Sequence, residues 1–166
     1  MKKVFLIIAF AVSICLTGNA QLKFGYLDSQ TFIESLPDYA KMKKTIDDET
    51  TKVENQLTTL QEEFNKMQQE AQKKAATMTE AEMAEKEQEL QETYNKIQEF
   101  LQTARKQLEE QQRSLMMPIV QKVQKAIQEA GDENGFIYIF ESKAGLILHN
   151  GAGSVDIAPM LKKKFQ

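Results

Sequence analysis

The sequence has no tryptophan, one histidine, three prolines, seven glycines and a single cysteine among 166 residues. The cysteine, Cys15, falls in an N-terminal segment with the marks of a secretory signal: Lys2 and Lys3, an apolar run Val4–Leu16, and small residues in Gly18-Asn19-Ala20. This pattern predicts a signal peptide over residues 1–20, cleaved after Ala20. The alternative is an uncleaved anchor, for which the run is short against the roughly 20 residues of a membrane span. Bulky Ile14 before Cys15 argues against lipoprotein processing. Without its signal the chain has no thiol, which excludes a disulfide scaffold and a cysteine nucleophile. The lone His149 has no cysteine or acidic cluster beside it, so no motif supports metal ligation or a catalytic triad. Gly151-Ala152-Gly153-Ser154 lacks the Lys-Ser/Thr ending of a phosphate loop and reads as a turn.

Basic residues are outnumbered by acidic ones. Two of the 21 basic residues and none of the 24 acidic ones lie in the signal, so the mature chain carries 19 − 24 = −5. An acidic chain without a clustered basic patch is a poor candidate for binding nucleic acid or an anionic membrane surface, and neither nucleic acid nor stable membrane insertion is expected. No enzyme, cofactor or metal site is expected.

What the sequence does have is a repeat. One run places Ile46, Thr50, Val53, Leu57, Leu60, Phe64, Met67, Ala71, Lys74 and Met78 in alternating steps of four and three. A second places Met83, Glu87, Leu90, Tyr94, Ile97, Leu101, Ala104, Leu108, Gln111 and Leu115 in the same way. Eight of ten positions are apolar in each run, and a 3.5-residue period makes a helix whose narrow stripe is buried against another helix. Between the runs, Thr79-Glu80-Ala81-Glu82 has the form of a capping box. One continuous helix is the alternative. The hairpin is favoured because it returns the C-terminal strands to the N-terminal one.

The ends are different in kind. Leu22–Asp28 alternates as a short strand, Asp28 or Ser29 can open a brief helical turn, and Pro37 restarts the chain into the first long helix. Past Leu115 a wider apolar stripe runs from Met116 to Ala130, with a kink or break expected at Pro118. Gly131 is the expected helix cap. Phe136–Phe140 is wholly apolar, implying burial on both faces. Residues 142–145 form the expected hairpin loop into a second strand, Leu146–Leu148, and a short helix closes the chain. Strands so few and short need equivalents from other subunits. Phe24, Tyr26, Ile137, Ile139, Leu146 and Leu148 are the candidate oligomer core.

Near the hairpin tip, Met67, Met78 and Met83 lie among alanines, where bulky side chains are few. Methionine adapts to varied apolar surfaces, so these residues and Phe100 are candidates for contact with unfolded polypeptide. The competing reading is that the methionines fill a thin seam and that Phe100, like Met117, packs in the core.

The order of parts, FGYLDSQTFIESLPDY, a long charged hairpin, AIQEAGDENG, FIYIFE and SVDIAPML, resembles the Skp (OmpH-like) family of periplasmic chaperones over essentially the whole mature chain. The resemblance implies a homotrimer whose strands complete a central barrel. It also implies arms around a cavity that holds unfolded outer-membrane proteins without ATP, in the periplasm. The family's best-known members are basic, unlike this chain, and no lipopolysaccharide site is carried over. The expected fold is α+β and mostly α, a long antiparallel coiled-coil hairpin arm on a small β body. Its parts are residues 21–36, the N-terminal strand and short helix; 37–78, the outgoing helix; 79–130, the returning helix with its bend; and 131–166, the C-terminal hairpin and tail. A structural coiled-coil spacer or scaffold of the cell envelope is the alternative function.

Overall fold

The computed structural model describes residues 22–143, 145 and 147–165. The expected signal peptide and Leu146 lie outside the described residues. The elements are β1 (Lys23–Leu27), α1 (Ser29–Glu34), α2 (Pro37–Lys74), α3 (Glu80–Asn134), β2 (Phe136–Glu141), β3 (Ser154–Asp156) and α4 (Ala158–Lys164). They fall into two compact units, divided after Ser29 and after Lys125.

The unit spanning Gln30–Lys125 is a helical hairpin. Pro37 opens α2, where its fixed φ suits a helix and its missing N–H costs nothing. The 38 residues of α2 correspond to about 57 Å at 1.5 Å per residue. Its covered positions recur at Met42, Ile46, Val53, Leu57, Leu60, Phe64, Met67 and Ala71, a four-three rhythm. Contacts pair rising numbers on α2 with falling numbers on α3, as antiparallel helices require. The Lys122 ammonium meets the Asp38 carboxylate at 3.2 Å, Phe64 and Tyr94 rings lie 6.3 Å apart, and the Thr93 hydroxyl donates to Met67 Sδ at 3.8 Å. Ile97 and Ala104 are buried on α3. At the Tyr94 position the seam rolls by one residue: Thr93 is half-covered, while Tyr94 is 49% exposed and leans on Phe64. Phe100 is half-buried beside Leu101.

Pro118 sits inside α3, and the helix continues through it to Asn134 without a break. The expected cap at Gly131 is likewise passed over. A glycine inside a helix costs about 1 kcal/mol relative to alanine, which fully buried Ala130 one residue earlier can offset by packing. Gly135 supplies the left-handed residue instead, at φ +68°. The freed carbonyls find donors: Asn134 Nδ2 to Ala130 O at 2.8 Å, and Lys23 Nζ to Asn134 O at 3.1 Å.

The other unit, residues 22–29 and 126–165, is built on a parallel sheet in the order β2-β1-β3. Phe24, Gly25 and Tyr26 face Tyr138, Ile139 and Phe140 on one side, and Ser154, Val155 and Asp156 on the other. This corrects the expected C-terminal hairpin. The second strand is Ser154–Asp156, not Leu146–Leu148, and it pairs with β1 rather than β2. The chain from Ser142 to Gly153 is long enough to cross over β1 and re-enter in the same direction, as parallel neighbours demand. Ile147 and Leu148 lie in that crossover, Leu148 with 95% of its surface exposed.

Leu27, Ala126, Ala130, Ile157 and Leu161 are the buried apolar residues of this unit. Gly25 is buried in the middle of β1, and a Cβ there would lie 3.0 Å from Ile157 Cγ2, 3.1 Å from Ile139 Cγ1 and 3.2 Å from Phe136 Cδ1. Glu141 ends β2 by accepting from the Ser29 amide at 3.2 Å and the Lys143 amide at 3.0 Å. Partial burial pushes its pKa up, but the Ser29 and Lys143 donors outweigh it and hold the carboxyl below its ordinary value. Asp156 accepts from the Ala158 amide at 2.9 Å at the start of α4, and Lys164 at its end bridges Glu133 at 2.7 Å and Glu129 at 3.2 Å.

Candidate functional site

Two surfaces stand out, one in each unit. The first is the hairpin tip. α2 ends with Thr77 and Met78 amides both donating to Lys74 O, at 2.9 and 3.1 Å, and with the Thr77 hydroxyl on the same carbonyl at 2.9 Å. Thr79 then opens α3 through the expected capping box. Its amide and hydroxyl donate to the Glu82 carboxylate at 2.7 and 2.8 Å, and the Glu82 amide donates to the Thr79 hydroxyl at 3.3 Å. The backbone and hydroxyl donors of Thr79 hold the Glu82 carboxyl below its ordinary pKa. The turn needs no left-handed residue, since no described non-glycine residue has positive φ.

Just inside that turn the seam loses its bulk. Ala71 and Ala75 oppose Met83, Glu87 and Leu90 across the helices, and the missing volume becomes an open recess of about 200 Å³ whose walls include Met78 and Lys86. Met78 is half-buried and Met83 is 39% exposed. The structure thus brings Met78 and Met83 together in one recess. Met67 lies further along α2 under the Thr93 hydroxyl, and Phe100 lies further along α3; neither lines it. Lys86 and Leu90 were missed from the sequence. The signal for Leu90 was its place in the repeat opposite alanines. At its other end the hairpin has a second recess, about 300 Å³, with Met42, Leu115, Pro118 and Ile119 among its walls.

The second surface is one face of the sheet. Strand alternation puts Phe24, Tyr138 and Phe140 on that face, where Phe24 and Tyr138 stack at 6.5 Å and 3° and Tyr138 and Phe140 lie 5.9 Å apart. They are 36%, 62% and 45% exposed, and Ile137 is 48% exposed. Burial of β2 on both faces is therefore not achieved within one chain, and as an edge strand β2 also has a single neighbour. Of the candidate oligomer core, Phe24 and Ile137 are exposed, Tyr26 and Ile139 half-buried, and Leu148 lies outside any strand. Tyr138 and Phe140 were missed, although the period of two in FIYIF puts these two rings on one face.

Among the described residues no group of three or more His, Cys, Asp or Glu side chains is placed to hold a metal ion. His149 is exposed in the crossover. No helix among the described residues is long and apolar enough to cross a membrane.

In fold the chain is similar to a crystal structure of a candidate outer membrane chaperone (OmpH-like) from Caulobacter crescentus CB15. The TM-score is 0.76 at 17% identity, covering 89% of this chain and 86% of that one. Among curated proteins none matches the sequence. The family model described as outer membrane protein (OmpH-like) matches residues 23–165, which is all of the sheet, the helical hairpin and the tail helix. The chain therefore belongs to the outer membrane protein (OmpH-like) family.

Proposed function

We propose that the protein is an ATP-independent holdase chaperone of the periplasm, exported by a signal peptide cleaved after Ala20, that keeps unfolded outer-membrane proteins from aggregating. The observation that carries this reading is the hairpin tip, where Met78 and Met83 line an open recess that the seam leaves unfilled. Flexible, polarisable side chains around a gap suit many apolar partners weakly, and several arms acting together turn weak contacts into useful retention. Family membership supports the reading.

Assembly is part of the proposal. Phe24, Tyr138 and Phe140 leave an apolar face on a three-stranded sheet with β2 and β3 as open edges. Three such sheets closing into a barrel would cover both face and edges. Met67 and Phe100 are proposed as further client contacts along the arm.

The test dilutes a urea-unfolded outer-membrane β-barrel protein into buffer with and without a stoichiometric amount of assembled chaperone. Suppressed light scattering is the expected result, and unchanged scattering refutes the proposal. Binding to one folded envelope partner, with no effect on several unrelated unfolded chains, would support the spacer reading.

A further inference from the structure

The recess at the hairpin tip is apolar inside and acidic around. Between Glu70 and Glu92 the sequence has seven glutamates and three lysines. Residues 47–113 carry sixteen acidic and nine basic side chains, net −7, whereas the rest of the mature chain is +2. The negative charge is thus concentrated on the hairpin. The one cation on the recess wall, Lys86, is bridged by Glu89, and its pKa is raised by that hydrogen bond, with Glu70 and Glu85 adding to it. Glu87 on the same wall is exposed. Glu85, also exposed, lines an adjoining polar recess that shares Met78 and Lys86 with the first.

A volume of about 200 Å³ suits one large side chain rather than a folded surface. What enters must leave its flanking backbone and neighbours at the rim, beside Glu85 and Glu87. Exposed charges act only within a Debye length of about 8 Å at physiological salt, so residues next to the inserted side chain feel these carboxylates and distant ones do not. A flanking carboxylate would be repelled there and a flanking ammonium or guanidinium attracted. Resting on the holdase reading, we propose that the tip recess selects unfolded segments in which one large apolar side chain is flanked by lysine or arginine.

The experiment uses the full mature chain in its assembled form and two fluorescent peptides with the same apolar centre, one flanked by lysines and the other by glutamates. Anisotropy should show the lysine peptide binding about fivefold tighter at low salt, the scale expected of two exposed charge pairs. The gap should close when the Debye length falls to about 3 Å at 1 M salt. Glu85→Gln with Glu87→Gln should shrink the low-salt gap, and Met83→Gln should weaken both peptides alike. Equal affinities, a preference for the glutamate peptide, or a gap that survives the paired glutamine variant would each overturn the proposal. A lower assembly mass for Met83→Gln would also overturn it, by assigning the recess to a second copy. In those cases scattering by the unfolded barrel protein decides the holdase reading separately: suppression retained leaves it standing, and suppression lost rejects both.

Discussion

Replacing Gly25 with alanine sets two effects of opposite sign against each other. Alanine restricts the unfolded chain and would by itself stabilise by about 0.4–1 kcal/mol. The new methyl, however, would enter at 3.0 Å from Ile157 Cγ2, 3.1 Å from Ile139 Cγ1 and 3.2 Å from Phe136 Cδ1. A flexible neighbour could withdraw. Ile157 cannot easily do so, because it is fully buried and starts α4, while Ile139 and Phe136 are held in β2. Overpacking of this kind costs about 1–3 kcal/mol, so the net expectation for Gly25→Ala is a loss of about 1–2 kcal/mol. The branched Gly25→Val should lose more. Urea unfolding at fixed protein concentration, followed by far-ultraviolet circular dichroism, gives the midpoint and slope. A lower midpoint with unchanged slope is the expected result. An alanine variant as stable as the parent would refute the claim that β1 is clamped between β2 and the start of α4.

Leu161→Ala removes a fully buried side chain from α4 and should cost about 2–5 kcal/mol, read from the same unfolding curves. Thr79→Ala breaks the cap of α3 and should speed amide exchange at residues 80–83 by about fivefold, with little change in the sheet. Glu82 has a folded pKa below its unfolded value. Its capping contribution is therefore complete at neutral pH and is lost as pH falls through the lowered pKa, so protection of the tip amides, taken as exchange relative to the intrinsic rate at each pH, should fall on acidification. In Thr79→Ala that acid response should be much weaker. Tyr138→Asp with Phe140→Asp places charges on the exposed aromatic face and should lower the assembly mass measured by light scattering. An unchanged mass would exclude that face from the subunit contact.

The helical hairpin was legible because its period is a property of the chain alone. The steps read from Ile46 to Ala71 fall on covered positions of α2, and Thr79 with Glu82 marks the start of α3 in four residues. The sheet was not. Leu146–Leu148 has the composition of a strand, but its pairing depends on a crossover whose direction no local pattern encodes. The strand actually used, Ser154–Asp156, is three residues with two polar side chains, and it is recruited by Phe24–Tyr26 from the far end of the chain. Gly131 misled for a similar reason: cap preference is local, whereas burial of Ala130 is tertiary. At the tip, methionine and alanine were visible as composition. The recess appears only when Ala71 and Ala75 are set opposite Met83 and Leu90.

The central place of β1 has a consequence for the order of events during folding. A chain synthesised from its N-terminus presents β1 first, yet both strands that flank it come after α3. The 108 residues between Leu27 and Phe136 must emerge before either edge can be closed. Helical hairpins zip through near-neighbour contacts far faster than distant strands find each other. The seam should therefore form while β1 waits unpaired, and the Asp38–Lys122 pairing then shortens the loop that remains to be closed. A chain that stops before Gly135 leaves its first strand with no partner on either side. Premature truncation should thus yield a folded hairpin with a sticky end rather than a smaller version of the protein.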